Sequence, residues 1–192
     1  MSKDIWFISD THFGHANFLK FEKEDGTKIR PFNSTQEMDE YMVQKWNEVV
    51  KDGDKVYHLG DVVMNAKHCT RYLGRLRGSK RLCIGNHDLL ERNSQYYTEF
   101  KKITLWRLFK EHGFICTHVP LKKSSMRHAK VNVHGHIHER KMKSPIYFNA
   151  CVEHHDYTPI SIDLIKDHVK MVEQLDWDNL SDDSPQDVFH NA

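Results

Sequence analysis

The first half of the chain alternates short apolar runs with longer stretches of helical periodicity. Three runs rich in β-branched and aromatic residues predict buried strands, at residues 5–9, 55–60 and 80–85. After the first run, Ser34 and Glu37 fit a capping box, and apolar residues then recur at helical spacing up to Val50. Residues 66–76 predict a second helix. This alternation indicates a largely parallel sheet with right-handed crossovers.

The second half reads as a group of strands followed by one helix. Four strands are predicted, at residues 103–109, 114–119, 129–135 and 146–152. The turn-like sequence KEHG joins the first two as a hairpin. Pro159 and Ser161 introduce a last helix that we expect to reach about Leu175. We therefore expect an α/β protein with two layered sheets.

The end of the chain differs from the rest. Residues 176–192 are acidic, contain Pro185 and show little periodicity, which predicts a loosely ordered tail. The expected organisation is thus a single domain over residues 1–175 followed by this tail.

Composition limits the class of protein but does not indicate a function. A single domain of 192 residues can bury roughly 70% of the surface of its unfolded chain, so it needs no covalent staple. The four cysteines are widely spaced, the start resembles no signal peptide, and no apolar run reaches membrane length. We expect a soluble, cytoplasmic protein without a membrane partner. Lys plus Arg total 28 against 27 for Asp plus Glu, so net charge predicts no polyanionic partner.

Histidine changes this picture, because the chain has 15 histidines and His is the commonest transition-metal ligand. Ten His, Asp and Asn side chains cluster at or just after the predicted strands: Asp10, His12, Asp61, Asn86, His87, Asp88, His118, His134, His136 and His138. Ligands of open α/β sheets bind beyond the carboxyl ends of strands, so the pattern predicts a site there. For any single residue the alternative is a turn or cap, and His134 is interpreted as a packed strand histidine.

The chemistry that uses such a set is a pair of divalent cations roughly 3.5–4 Å apart, with mixed imidazole and carboxylate ligands. A hydroxide that bridges the two ions is a nucleophile near neutral pH. Closed cysteine-based zinc sites are excluded by the cysteine spacing, and the chain contains neither G-x-S-x-G nor a P-loop.

Five ordered blocks resemble the calcineurin-like metallophosphoesterase superfamily: DTH (10–12), LGD (59–61), GNHD (85–88), TH (117–118) and GHIH (135–138). The resemblance implies two mixed β-sheets packed as a sandwich flanked by helices, with two divalent metal ions at the sheet ends. By motif position, Asp61 bridges the two ions. The other implied metal ligands are Asp10, His12 and His138 for the first ion, and Asn86, His118 and His136 for the second. The resemblance also makes His87 the general acid or transition-state donor, oriented by Asp88.

Departures from the family patterns narrow the subfamily. The chain has GDVVMNA (60–66) and GNHD where protein Ser/Thr phosphatases have GDxVDRG and GNHE, and it has no room for the capping domain of the double-strand-break repair nucleases. It resembles the compact bacterial and phage phosphoesterases. The segments THFGHANF (11–18) and RPF (30–32) are similar to features of that branch. His15, Asn17 and Arg30 are therefore candidate substrate contacts. Alternatively, His15 packs the loop and Arg30 pairs with an acid.

The favoured hypothesis is a dimetal phosphodiesterase that hydrolyses a small nucleotide-like diester through a metal-bridging hydroxide. The alternatives are a nuclease, a phosphomonoesterase or pyrophosphatase, and a non-catalytic metal-binding scaffold. Mn²⁺ is the favoured metal, and Fe, Zn, Ni or Mg also fit mixed N and O ligands. Basic loops at 121–130 and 140–143 are either a solvated surface or a rim that steers an anion. Because these loops hold no aromatic residue, we expect a small nucleotide rather than a polymer. The oligomeric state is left open.

Overall fold

Two β-sheets form the centre of the computed structural model, which describes residues 3–64, 66–88 and 94–181. Over these residues the strands are β1 (Ile5–Ile8), β2 (Lys55–His58), β3 (Ser79–Cys83), β4 (Lys102–Thr104), β5 (Trp106–Phe109), β6 (Phe114–Thr117), β7 (Val131–His134), β8 (Tyr147–Asn149) and β9 (Ile160–Ser161). The α-helices are α1 (Thr35–Val49), α2 (Ala66–Tyr72), α3 (Ser94–Thr98) and α4 (Ile162–Glu173). Short 3₁₀ helices lie at Ala16–Leu19, Leu73–Arg75, Lys110–His112, Lys123–Ser125, Val152–His154 and Trp177–Asn179.

Both sheets are mixed. The first has the order β4-β3-β2-β1-β9, in which β1 to β4 are parallel and β9 runs antiparallel to β1. The second has the order β5-β6-β7-β8, in which β5 and β6 are antiparallel while β6, β7 and β8 are parallel. The expected α/β fold with two mixed sheets and flanking helices is therefore confirmed.

Alternating strand residues separate two apolar cores. Ile8 packs on the face of the first sheet that α1 covers, whereas its neighbour Phe7 faces the second sheet. This follows from the period of two of a strand, which sends successive side chains to opposite faces. Between the sheets, the Phe7 ring lies 5.6 Å from that of Phe114 and 5.5 Å from that of Phe109. The sheets are thus held face to face by aromatic packing.

The helix boundaries follow local capping chemistry. Ser34 caps α1 by accepting from the Glu37 amide at 3.1 Å, and the Glu37 carboxylate accepts from the Asn33 amide at 2.9 Å. Ser161 caps α4 through the Asp163 amide at 3.2 Å. Both caps lie where the sequence predicts a helix to begin. None of the helices in the described ranges is long and apolar enough to cross a membrane.

The predicted strand at 103–109 is wrong as a single element. It divides at Leu105 into β4, which joins the first sheet, and β5, which pairs with β6 in the second. Both strands contribute apolar side chains, Ile103 to one core and Leu108 and Phe109 to the other, so periodicity alone cannot show a change of sheet. The hairpin is confirmed for the β5 and β6 portion. The two-residue β9 was not predicted, since so short a strand carries no periodic signal.

The segment after residue 175 is ordered where it is described. Trp177 and Leu180 pack against the core between the sheets. Lys123 and Lys130 lie on the Trp177 ring, with Nζ atoms 5.0 and 4.7 Å from its centroid. Two of the lysines of the basic loop 121–130 are thus used internally, and the remainder of the predicted tail, 182–192, lies outside the described residues.

Candidate metal centre

The predicted ligands follow five strands that end at one edge of the molecule. β1, β2 and β3 are parallel in the first sheet, and β6 and β7 are parallel in the second. The two sheets meet there, because the Ser9 amide after β1 donates to the Ala150 carbonyl after β8 at 2.9 Å. Strand ends from both sheets therefore deliver their side chains to one place.

The first group consists of Asp10, His12 and His138. The Nε2 atoms of both histidines lie 3.8 Å from Asp10 Oδ1. Ligands about 2.1 Å from one ion are separated by roughly 3–4 Å, so this spacing fits a shared cation. Asp10 Oδ1 and His12 Nε2 are buried and accept or donate no hydrogen bond within the described chain. Buried polar atoms seldom stay unpaired, so these two atoms fit the role of cation ligands.

The second group consists of Asp61, Asn86, His118 and His136. Asn86 Oδ1 lies 2.9 Å from His118 Nε2 and 3.0 Å from His136 Nδ1. Asp61 Oδ2 lies 3.4 Å from His118 Nε2 and also 3.5 Å from His12 Nε2 of the first group. A single carboxylate oxygen therefore lies within ligand spacing of both groups, as a bridging ligand must.

Outer hydrogen bonds orient these side chains. Asp10 Oδ2 accepts from Ser9 Oγ at 2.5 Å, the His136 amide at 2.9 Å and Cys151 Sγ at 3.3 Å, which leaves Oδ1 unused. His118 Nδ1 lies 2.8 Å from the Leu59 carbonyl, which only accepts, so Nδ1 carries a proton and Nε2 is the atom that can bind a metal. Such outer contacts select the tautomer that coordinates a metal.

Charge state supports the same interpretation. Burial lowers the pKa of His12 well below its usual value, and the nearby His138 and Arg30 lower it further, so its ring is neutral. Burial also opposes protonation of His118, but the carboxylates of Asp10 and Asp61 outweigh it and raise the pKa to about 9. Without a cation, these carboxylates thus hold a proton on His118, which metal binding has to displace.

Most of the ligands have strained backbone conformations. Asp10, His12, Asp61, His136 and His138 have φ between 47° and 72°, in the left-handed region that side chains with a Cβ avoid. Five of the seven predicted ligands are therefore in this region. Residues keep such conformations where the surrounding structure imposes them, typically at functional sites.

Glycines beside the ligands make room for them. A Cβ on Gly85 would lie 2.2 Å from Asp61 Oδ1, and one on Gly135 would lie 2.3 Å from Asp10 Oδ2. Gly60 has φ of 105°, and its Cβ would lie 2.6 Å from His118 Nδ1. These three motif glycines are thus required by a carboxylate or imidazole that follows another strand, in addition to any turn.

His87 reaches the site, but its predicted orientation by Asp88 is wrong. The His87 amide donates to Asp61 Oδ1 at 2.9 Å, and its ring centroid lies 5.1 Å from that of His12. Its Nδ1 is buried without a partner among the described residues. Both Asp88 oxygens are occupied by other donors: the amides of Asp61, Val62 and Gly85, and the hydroxyl of Tyr96. Asp88 therefore fixes the backbone of two ligand loops instead of the His87 ring.

Of the three candidate substrate contacts, two lie at the surface and one is buried. Asn17 is exposed and His15 partly so, with His15 Nδ1 accepting from the Asn17 amide at 3.3 Å. Arg30 is fully buried, which contradicts a substrate contact and matches the alternative of an acid pair. Its Nη2 lies 2.6 Å from Glu153 Oε1 and 2.6 Å from the Asp10 carbonyl.

Glu153 is the main residue that the sequence analysis missed. Its Oε1 lies 3.3 Å from His138 Nδ1, so it links the Arg30 guanidinium to a metal ligand. Burial alone would raise its pKa, but Arg30 and His138 lower it to about 2. Glu153 follows the predicted strand 146–152 directly, so the strand-end rule could have identified it. His134 is buried with Nδ1 2.9 Å from the Gly135 carbonyl, as a packed strand histidine.

The two-sheet fold and the paired carboxylate and imidazole groups at its edge fit the dinuclear metal site of a metal-dependent hydrolase. The calcineurin-like phosphoesterase superfamily domain matches residues 4–150, most of the sequence. The chain belongs to this superfamily and is a metal-dependent phosphoesterase, as the motif resemblance implies.

Three similar proteins have names that state no function. The uncharacterized protein MJ1445 of Methanocaldococcus jannaschii is 31% identical over 182 residues, 90% of this chain and 93% of that protein. The gene 66 protein of Mycobacterium phage L5 is 30% identical over 89 residues, 44% of this chain and 40% of that protein. The crystal structure of AQ665 from Aquifex aeolicus, of unknown function, has a TM-score of 0.69 and 26% identity, covering 86% of this chain and 99% of that one.

A first prediction concerns the glycines. Gly85→Ala places a methyl group against the Asp61 carboxylate, and we expect a loss of stability of about 1–3 kcal/mol together with reduced metal content. Gly74→Ala is the matched control, since a Cβ there meets nothing within 4 Å. Thermal unfolding and elemental analysis measure both effects. Equal stability and metal content in the two variants would contradict the steric requirement.

A second prediction concerns the buried ion pair. Glu153→Gln leaves the buried Arg30 charge without its counter-charge, which costs about 3–5 kcal/mol of unfolding free energy. The control is Glu40→Gln, which removes an exposed pair with Arg75 at 2.6 Å and costs less than about 1 kcal/mol. Urea unfolding at neutral pH compares them. Similar small losses for both would show that the buried pair does not stabilise this edge.

Proposed function

We propose that the protein is a dimetal phosphodiesterase that acts on a small nucleotide-like diester. Asp10, His12 and His138 would hold one divalent ion, Asn86, His118 and His136 would hold the other, and Asp61 would serve both. The observation that carries the proposal is the position of Asp61 Oδ2, 3.5 Å from His12 Nε2 and 3.4 Å from His118 Nε2. When bound, the ions lower the pKa of coordinated water and neutralise charge on the phosphoryl oxygens.

Other side chains position the site, donate a proton and contact the substrate. Asp61 Oδ1 fixes the His87 amide at 2.9 Å, so the bridging carboxylate also positions the loop that carries the proposed proton donor. His87 donates to the leaving-group oxygen, because its half-buried ring lies beside His12 and is not used in the outer hydrogen-bond shell. His15, which lies 5.6 Å from the His12 ring, is retained as a substrate contact with Asn17.

Mixed oxygen and nitrogen ligands support Mn²⁺ as the metal, with Fe, Zn, Ni and Mg as alternatives. The four cysteines are buried thiols, which supports a reducing, cytoplasmic setting. A phosphomonoesterase uses the same metal site. We favour the diester because the site is open on the side of Asn86 and His118, where a second ester group has room.

The third prediction tests the chemistry. Protein reconstituted with Mn²⁺ should hydrolyse bis-p-nitrophenyl phosphate and contain two metal ions per chain, since two ligand groups are present. Dialysis against EDTA should abolish turnover, and added Mn²⁺ should restore it. p-Nitrophenyl phosphate is the monoester control. Full activity after removal of the metal would overturn the dimetal mechanism, and exclusive monoester hydrolysis would overturn the diester preference.

The fourth prediction separates metal binding from proton donation. Asp61→Asn should lose both ions, because one carboxylate serves both groups. His87→Ala should retain them and lose turnover by roughly 10²-fold or more, most for poor leaving groups. Elemental analysis and kcat for p-nitrophenyl and phenyl esters measure the two effects. If His87→Ala hydrolyses the phenyl ester at the original rate, His87 is not the donor.

A further inference from the structure

We propose that an apolar cavity beside the second ligand group holds the aromatic base of the substrate's ester group, with Trp106 as the stacking surface. This inference rests on the proposed phosphodiesterase function and adds the class of group that the site selects.

The cavity follows from the division of the predicted strand at Leu105. β4 is parallel to β3, and β5 is antiparallel to β6, so the chain crosses between the sheets at the edge where β3 and β6 end. The Ile84 amide donates to the Thr104 carbonyl at 2.9 Å, two residues before Asn86. Trp106 pairs with Thr117, one residue before His118. The crossing segment therefore lies next to both metal ligands.

This segment exposes two large apolar side chains side by side. Leu105 is 68% exposed and Trp106 is 53% exposed. Both line a cavity of about 490 Å³, whose wall also includes Asn86 and His118. Ligand pockets are typically about 300–1,000 Å³, with apolar walls and a few polar groups. The cavity is thus continuous with the proposed metal centre and has the size and lining of a small-molecule subsite.

The lining favours a flat base over an alkyl chain. The Trp106 ring offers a planar surface, and an indole face stacks on any nucleobase. Ser125 and Arg127 add a hydroxyl and a positive charge at the exposed side of the same wall, where the polar edge of a base can bind them and an alkyl chain cannot. Arg127 has φ of 55°, so its exposed position is held at a cost in backbone energy.

This placement changes one expectation from the sequence. The basic loops at 121–130 and 140–143 contain no aromatic residue, which argued against a stacking platform. The structure supplies the aromatic residue from β5, outside those loops. A stacking surface for one base is therefore present beside the site, and its single Trp fits one nucleotide.

The experiment uses three diesters with the same p-nitrophenolate leaving group and a methyl, phenyl or thymidine 5′ group as the second ester. We expect kcat/KM of the Mn²⁺-loaded protein for the phenyl and thymidine esters to exceed that for the methyl ester by about 10-fold or more. Trp106→Ala should remove this advantage, so that the three esters have similar kcat/KM, whereas Trp106→Phe should keep it. Leu164→Ala removes an equally exposed side chain on α4 and is the control.

Other results would contradict the proposed role of the cavity or of the site. An octyl ester hydrolysed as well as the thymidine ester would mean that the cavity holds an alkyl chain, and unchanged selectivity in Trp106→Ala would mean that it holds no part of the substrate. If no ester is hydrolysed, the proposed function fails, but binding still tests the cavity. Thymidine 5′-monophosphate should quench the fluorescence of the wild-type protein, and Trp106→Phe should abolish that quenching; persistent quenching would overturn the assignment.

Discussion

The rest of the site depends on one buried carboxylate, that of Asp61. Its Oδ2 lies within 3.5 Å of imidazoles from both ligand groups, and its Oδ1 accepts from the His87 amide. A buried charge is costly unless cations or hydrogen bonds surround it. Asp10 adds a second buried carboxylate beside it. Two carboxylates and a ring of imidazoles are therefore stable together only if protons or metal ions occupy the space between them.

Residues at the strand ends have left-handed backbone conformations, and hydrogen bonds from surrounding residues hold them there. Asp88 binds three backbone amides and Tyr96, so the loop that carries Asp61 and the loop that carries Asn86 are tied to one anion. Arg30 performs the corresponding task for the β1 loop by binding the carbonyls of Asp10 and Thr11. Arg30, which was predicted to contact the substrate, and Asp88, which was predicted to orient His87, thus hold the ligand loops in place.

Features that depend on residues close together in the sequence could be predicted, and features that depend on distant residues could not. Strand ends, caps and motif glycines are local in sequence, so the side chains that meet at this edge and the start of α1 could be predicted from short stretches. The roles of Arg30 and Asp88 could not, because their partners are distant in sequence: Glu153 is 123 residues from Arg30. The change of sheet at Leu105 was also missed, since an apolar run has the same pattern whichever sheet receives it.

The predicted metal ligands and the wall of the adjacent cavity come from different parts of the fold. The ligands follow buried strands whose packing leaves little freedom, so their arrangement is fixed by the sandwich itself. The wall beside Asn86 and His118 comes instead from the short crossing between β4 and β5, where Leu105 and Trp106 contribute little to either core. Side chains at such a crossing can change without disturbing the strands on either side. The sheets therefore position the predicted metal ligands, and the segment that connects them forms the wall of the adjacent cavity.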